Sequence, residues 1–135
     1  MRYLAVAIIV VVVFSFQAFA QNSAQYRACN EKAKTQIEIN ECANQEATRV
    51  DAELNHVYSQ LLSKAATEPG ATEKIKTAER AWVTYRDAYI EAMYPAEDKQ
   101  IQYGSIYPME IAVLRAKLTQ RQVAALKELL RQYHD

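Results

Sequence analysis

The side chains in this sequence that could do chemistry are few. There are two cysteines, Cys29 and Cys42, two histidines, His56 and His134, and a scatter of carboxylates. A metal centre would need ligands at short regular spacing, such as H-E-x-x-H or C-x-x-C, and neither spacing occurs. A nucleophilic cysteine would need a base beside it, and neither histidine is a near neighbour in sequence. No serine sits in a glycine elbow. No glycine loop could cradle a phosphate, because Gly70 and Gly104 are the only glycines. The carboxylates lie mostly on the polar sides of amphipathic stretches, the ordinary solvated face. No catalytic residue, metal ligand or cofactor is assigned, and the chain reads as a non-enzyme.

Polar residues beside apolar stripes are a second signal. Asp51 and Asn55 lie one helical turn apart around Leu54, and Arg86 and Asp87 adjoin Trp82 and Tyr85. A charge at a core edge is tolerated when it is paired, and arginine's planar fork suits a carboxylate. The expectation is a buried clasp between helices in which Arg86 meets Asp51, Asn55 or both, in preference to a ligand site. Trp82, Tyr85 and Tyr89 read as core. Tyr94, Tyr103 and Tyr107 surround the polar segment 95–104, where they either pack the end of a bundle or present rigid rings to a partner.

Helices carry these residues, and three amphipathic stretches are visible. In the first, Ala43, Ala47, Val50, Leu54, Val57 and Leu61 recur at steps of four and three. Thr35 and Glu38 have capping-box spacing, so this helix begins near Gln36; it ends before Glu68-Pro69-Gly70. In the second, Ile75, Ala78, Trp82, Tyr85 and Tyr89 form the stripe, with Thr72 as N-cap and a stop at Tyr94-Pro95. A third is capped by Ser105 and carries Met109, Ala112, Val113, Ala116, Leu118, Val123, Leu126, Leu130 and Tyr133. Thr119 and Gln122 repeat the capping-box spacing, so this stretch either breaks at Thr119 or runs through. No period-two alternation is sustained. The fold class is all-α, a small antiparallel bundle of three to four helices.

Composition narrows function further. Sixteen basic residues balance sixteen acidic ones among 135, which lacks the basic excess of a nucleic-acid binder. Residues 1–20 have a charged start at Arg2, an apolar run and an Ala18-Phe19-Ala20 exit, the pattern of a cleaved secretory signal. The apolar run is too short for a spanning helix, and no later stretch could span a membrane. Residues 21–135 then form a single domain, periplasmic or secreted. In an oxidising compartment Cys29 and Cys42 read as a disulfide, two free thiols being the alternative.

Four stretches follow one another in order: Thr35-Gln36 with Asn40-Glu41-Cys42-Ala43; Asp51, Leu54, Asn55, Tyr58 and Leu61; the run Ala78 to Ala88 containing Trp82, Tyr85, Arg86 and Asp87; and Gly104-Ser105-Ile106-Tyr107-Pro108 followed by Leu118-Thr119. Through them the chain resembles, from Cys29 to about Leu126, the lysozyme inhibitor LprI-like family of small exported bacterial domains. Relatives carry a second cysteine pair where this chain has Ile90 and Leu114, which implies an apolar contact there and supports pairing Cys29 with Cys42. A double-glycine turn of relatives is reduced to Gln102-Tyr103-Gly104, and Arg121 is the nearest match to their arginine after Leu-Thr.

The resemblance implies an all-helical exported domain and, for some relatives, inhibition of lysozyme. The expected activity is occlusion of the cleft of a lysozyme or other peptidoglycan hydrolase, a protein partner, with Glu97, Asp98, Tyr103 and Ser105 of the polar segment as contact residues. The alternatives are an envelope structural or stress interaction protein and an immunity protein against a secreted wall hydrolase.

Overall fold

The computed structural model describes residues 22–133. The expected signal segment and His134 lie outside them. Among the described residues there are five α-helices: α1 (Ala24–Lys32), α2 (Gln36–Ala65), α3 (Ala71–Met93), the short α4 (Lys99–Tyr103) and α5 (Tyr107–Arg131). A single 3₁₀ turn, Gly104–Ile106, joins the last two. No strand forms among the described residues.

The start of α2 follows from local chemistry. The Thr35 hydroxyl accepts from the Glu38 amide and the Glu38 carboxylate accepts from the Thr35 amide, closing the box that the spacing predicts. A further bond from the Lys34 amide, together with that from Thr35, holds the Glu38 carboxyl below its ordinary pKa. All six residues of the expected α2 stripe, Ala43 to Leu61, are buried. Each fully buried valine or leucine contributes about 1.5–3 kcal/mol of transfer free energy, so this stripe is the spine of the core.

Sequence neighbours run antiparallel, but the largest interface joins α2 to α5, which are not sequential. These two helices run in the same direction. Asn40 meets Ser105, Asp51 meets Thr119 and Glu53 meets Lys127, positions that climb together along both helices. Helix α3 is the return stroke that makes this parallel pair possible. Helix α1 folds back along the start of α2 and is fastened there by the Cys29–Cys42 disulfide, the only pairing open to the chain.

Several local expectations are corrected. Helix α3 starts at Ala71 after Gly70 rather than being capped by Thr72. Gly70 takes a positive φ of 75°, which favours glycine, and turns the chain sharply enough that the helix starts at once. Ser105 does not cap α5; it lies in the 3₁₀ turn, and Ile106 precedes the helix with Pro108 in its first turn. Helix α5 runs unbroken through Thr119. Two helices fall outside the three expected stretches: α1, with Ser23 accepting from the Tyr26 amide, and α4, with Asp98 accepting from the Ile101 amide. Both have N-cap residues of the usual kind, but neither has enough apolar periodicity to stand out.

The second stripe is displaced by one position. The face of α3 turned to the bundle is Ile75, Glu79, Trp82, Arg86 and Ile90, whereas Ala78, Tyr85 and Tyr89 are exposed. Two charged residues occupy the inward line, so the apolar pattern points to the wrong side. Gln122 of α5 donates to Glu79 at 2.7 Å, which makes that burial tolerable.

Candidate functional site

One end of the bundle gathers the start of α2, the end of α3, α4 and the start of α5. Its framework is a tyrosine cluster. The ring of Tyr94 meets Tyr103 and Tyr107 edge-on, each at 5.3 Å between centroids, and Tyr103 stacks on Tyr107 at 5.5 Å. Such pairs add about 0.5–1.5 kcal/mol beyond area burial. Burial, followed by the nearby Glu110 carboxylate, pushes the Tyr94 phenol above its ordinary pKa.

Segment 95–104 is bound at both ends. The Tyr103 hydroxyl accepts from the Ala96 amide at 3.2 Å. Lys99 donates to the Glu91 carboxylate at 2.5 Å and to the Tyr94 carbonyl at 2.8 Å, and Glu91 raises the Lys99 pKa. Asn40 of α2 donates to the Ser105 carbonyl at 3.1 Å, tying the 3₁₀ turn to the opposite helix. Gly104, at φ 68°, reverses the chain out of α4.

The expected contact residues therefore divide. Glu97 is exposed, and Asp98 is exposed while spending one oxygen on the α4 cap. Ser105 is exposed but contributes only its carbonyl to the framework. Tyr103 is a half-buried strut rather than a projecting anchor. Three of the projecting apolar groups are isoleucines that no spacing pattern singles out: Ile101 on α4 at 83% exposure, Ile37 at 80% on the first turn of α2, and Ile106 at 42%. Isoleucines held outward on a bound framework, with acids beside them, suit protein docking. Among the described residues no group of three or more His, Cys, Asp or Glu could hold a metal ion.

The mid-bundle residues do not join this surface. Arg86 pairs with its neighbour Asp87 at 2.8 Å and lies 5.1 Å from the Trp82 ring centroid. The expected clasp to Asp51 or Asn55 is replaced by these local partners: Asp51 instead accepts from Thr119, and Asn55 is exposed. Ile90 is buried and Leu114 half-buried.

The family model described as Lysozyme inhibitor LprI matches residues 29–126. The chain belongs to this family. The LprI match begins at the first cysteine of the disulfide and ends at Leu126, a buried residue of α5, so it takes in both the tyrosine-framed end and α3. An uncharacterized protein of Rhizobium meliloti (strain 1021) is 36% identical over 111 residues, covering 73% of this chain and 76% of the relative. No solved structure matches the chain. Among the described residues no helix is long and apolar enough to cross a membrane.

Proposed function

We propose that this LprI domain is exported and inhibits a lysozyme or related peptidoglycan hydrolase by lying across its cleft. The observation that carries the reading is the outward display of Ile101 and Ile106, beside Glu97 and Asp98, on a segment already pinned by the tyrosine cluster. A surface fixed before binding loses little conformational entropy on docking. The isoleucines supply the apolar contact. The exposed acids steer the tip toward a basic enzyme and chiefly raise the association rate. No bond is made or broken by the inhibitor; exclusion of the glycan strand is the whole mechanism.

The test is a lysis assay of bacterial walls with chicken-type and goose-type lysozymes and excess purified protein. Inhibition of at least one is expected, and the paired change Ile101→Asp with Ile106→Asp should weaken it at least about tenfold, equivalent to about 1.4 kcal/mol. Both side chains are exposed, so the melting temperature should hold. Undiminished lysis with both enzymes sinks the lysozyme reading; full inhibition by the paired variant sinks the choice of surface.

A further inference from the structure

The displacement of the α3 stripe leaves a face of that helix uncovered. Ala78, Ala81, Tyr85, Ala88 and Ala92 recur at steps of three and four, line one side of α3, and are all exposed. Tyr89 and Met93 flank them, at 38% and 52% exposure, while Tyr85 itself is 56% exposed and its ring lies 5.8 Å from that of Tyr89. Such three-four recurrence is the seam of a helix pair, and no charged residue interrupts it between Ala78 and Ala92. The charged residues Glu73, Lys76, Arg80, Asp87 and Glu91 run along the other side.

We propose that this face pairs with the same face of a second copy of the chain, the two α3 helices running antiparallel about a two-fold axis. Three observations select that occupant. The seam reads Ala, Ala, Tyr, Ala, Ala in either direction, so it is close to self-complementary under a two-fold, as an isologous contact requires. The charges are divided along the helix: Lys74, Lys76 and Arg80 against Glu73 and the inward-facing Glu79 in the first half, and Asp87 and Glu91 against Arg86 in the second, a net of one positive and one negative charge. That order opposes the helix dipole in a lone helix, whereas an antiparallel partner sets the basic half against the acidic half and cancels the dipoles. The small alanines let the backbones approach, and the two Tyr85 rings meet at the two-fold axis with alanines on either side. Since α3 ends at the tyrosine-framed tip, antiparallel pairing sends the two tips to opposite ends, where both stay free.

The test is sedimentation velocity on the purified protein from about 1 μM to about 1 mM, the range that suits a small interface. The expected result is a reversible monomer–dimer equilibrium. The paired change Tyr85→Glu with Ala88→Glu should weaken it at least about tenfold while the melting temperature of the monomer holds. Ile101→Asp should dimerise like the parent; loss of the dimer in that variant would place the contact at the tip and overturn the proposal. Orientation is read by mixing Ala78→Cys and Ala92→Cys variants and oxidising in air. Cross-links between position 78 of one copy and 92 of the other are expected. A chain that stays monomeric throughout, a dimer indifferent to the Tyr85 and Ala88 changes, or cross-links joining 78 to 78 would each overturn it.

Discussion

Gln122 on α5 donates its side-chain amide to the buried carboxylate of Glu79 on α3, at 2.7 Å. This bond ties the outer helix to the inner pair, and it settles which side of α3 turns inward. Removing the donor strands a buried carboxylate, so Gln122→Ala should cost about 1–3 kcal/mol in urea unfolding. Glu79→Gln keeps an acceptor and removes the charge, and should cost less than about 1 kcal/mol. Equal losses in the two variants would show that packing, not the hydrogen bond, holds α3.

The Cys29–Cys42 bond closes α1 onto α2. With thirteen residues of separation, the chain-entropy model assigns it about 3 kcal/mol. The double change Cys29→Ala with Cys42→Ala should lower unfolding free energy by about that amount, because the unfolded chain regains the entropy of the closed loop. A loss confined to fraying of α1, seen as amide exchange limited to 24–32, would mean that the rest of the bundle is indifferent to the bond.

Acid should loosen the same corner. Glu46 is buried, pairs with Arg49 at 2.9 Å and accepts from the Ser23 hydroxyl at 2.6 Å. Arg49 first, and Ser23 after it, hold the Glu46 carboxyl below its ordinary value of 4.5, against the opposing effect of burial. A lowered folded pKa means that the folded state favours the ionised form. The contribution is therefore complete above the ordinary value and is lost as pH falls through the lowered one. Melting curves should show Glu46→Gln well below the parent at pH 7, with the gap closing as the buffer becomes more acid than pH 4.5. A gap constant with pH would remove charge from the account.

The two glycines should differ in what they tolerate. Both have positive φ and open space where a Cβ would stand, so backbone strain alone decides. Gly70, at φ 75° and ψ −3°, is near the left-handed region that other residues visit at about 1 kcal/mol. Gly104, at φ 68° and ψ −161°, is in a region essentially reserved for glycine, where strain reaches about 3 kcal/mol. Gly104→Ala should therefore destabilise more than Gly70→Ala, and should also release α4 and weaken any inhibition. The reverse order of stabilities would contradict this reading.

Much of the bundle is legible in the order of residues. The α2 stripe from Ala43 to Leu61 and the Thr35–Glu38 box are local patterns, and local patterns survive folding because they depend on spacing along one helix. Thr119 and Gln122 show where this fails. Their spacing imitates a capping box, yet α5 continues through them, and each side chain is spent on another helix, Thr119 on Asp51 and Gln122 on Glu79. Arg86 departs in the opposite sense: its place beside the stripe predicts a long-range clasp, and the nearest carboxylate, Asp87, takes it instead. The candidate surface is the least legible part. Exposed isoleucines such as Ile101 have the same letter as buried ones, and only the packing around them tells the two apart.

Hydrophobic period, cysteine count and motif order are properties of the chain in one dimension, and they suffice for the main helices, the single disulfide and the family. Packing in three dimensions was needed to decide which side of α3 is covered, that α2 and α5 run parallel, and that Ile37, Ile101 and Ile106 point outward while Tyr103 is held in place. Those outcomes depend on partners as far as 74 residues away, as Lys127 is from Glu53. A side chain's exposure is set by what the rest of the chain brings against it.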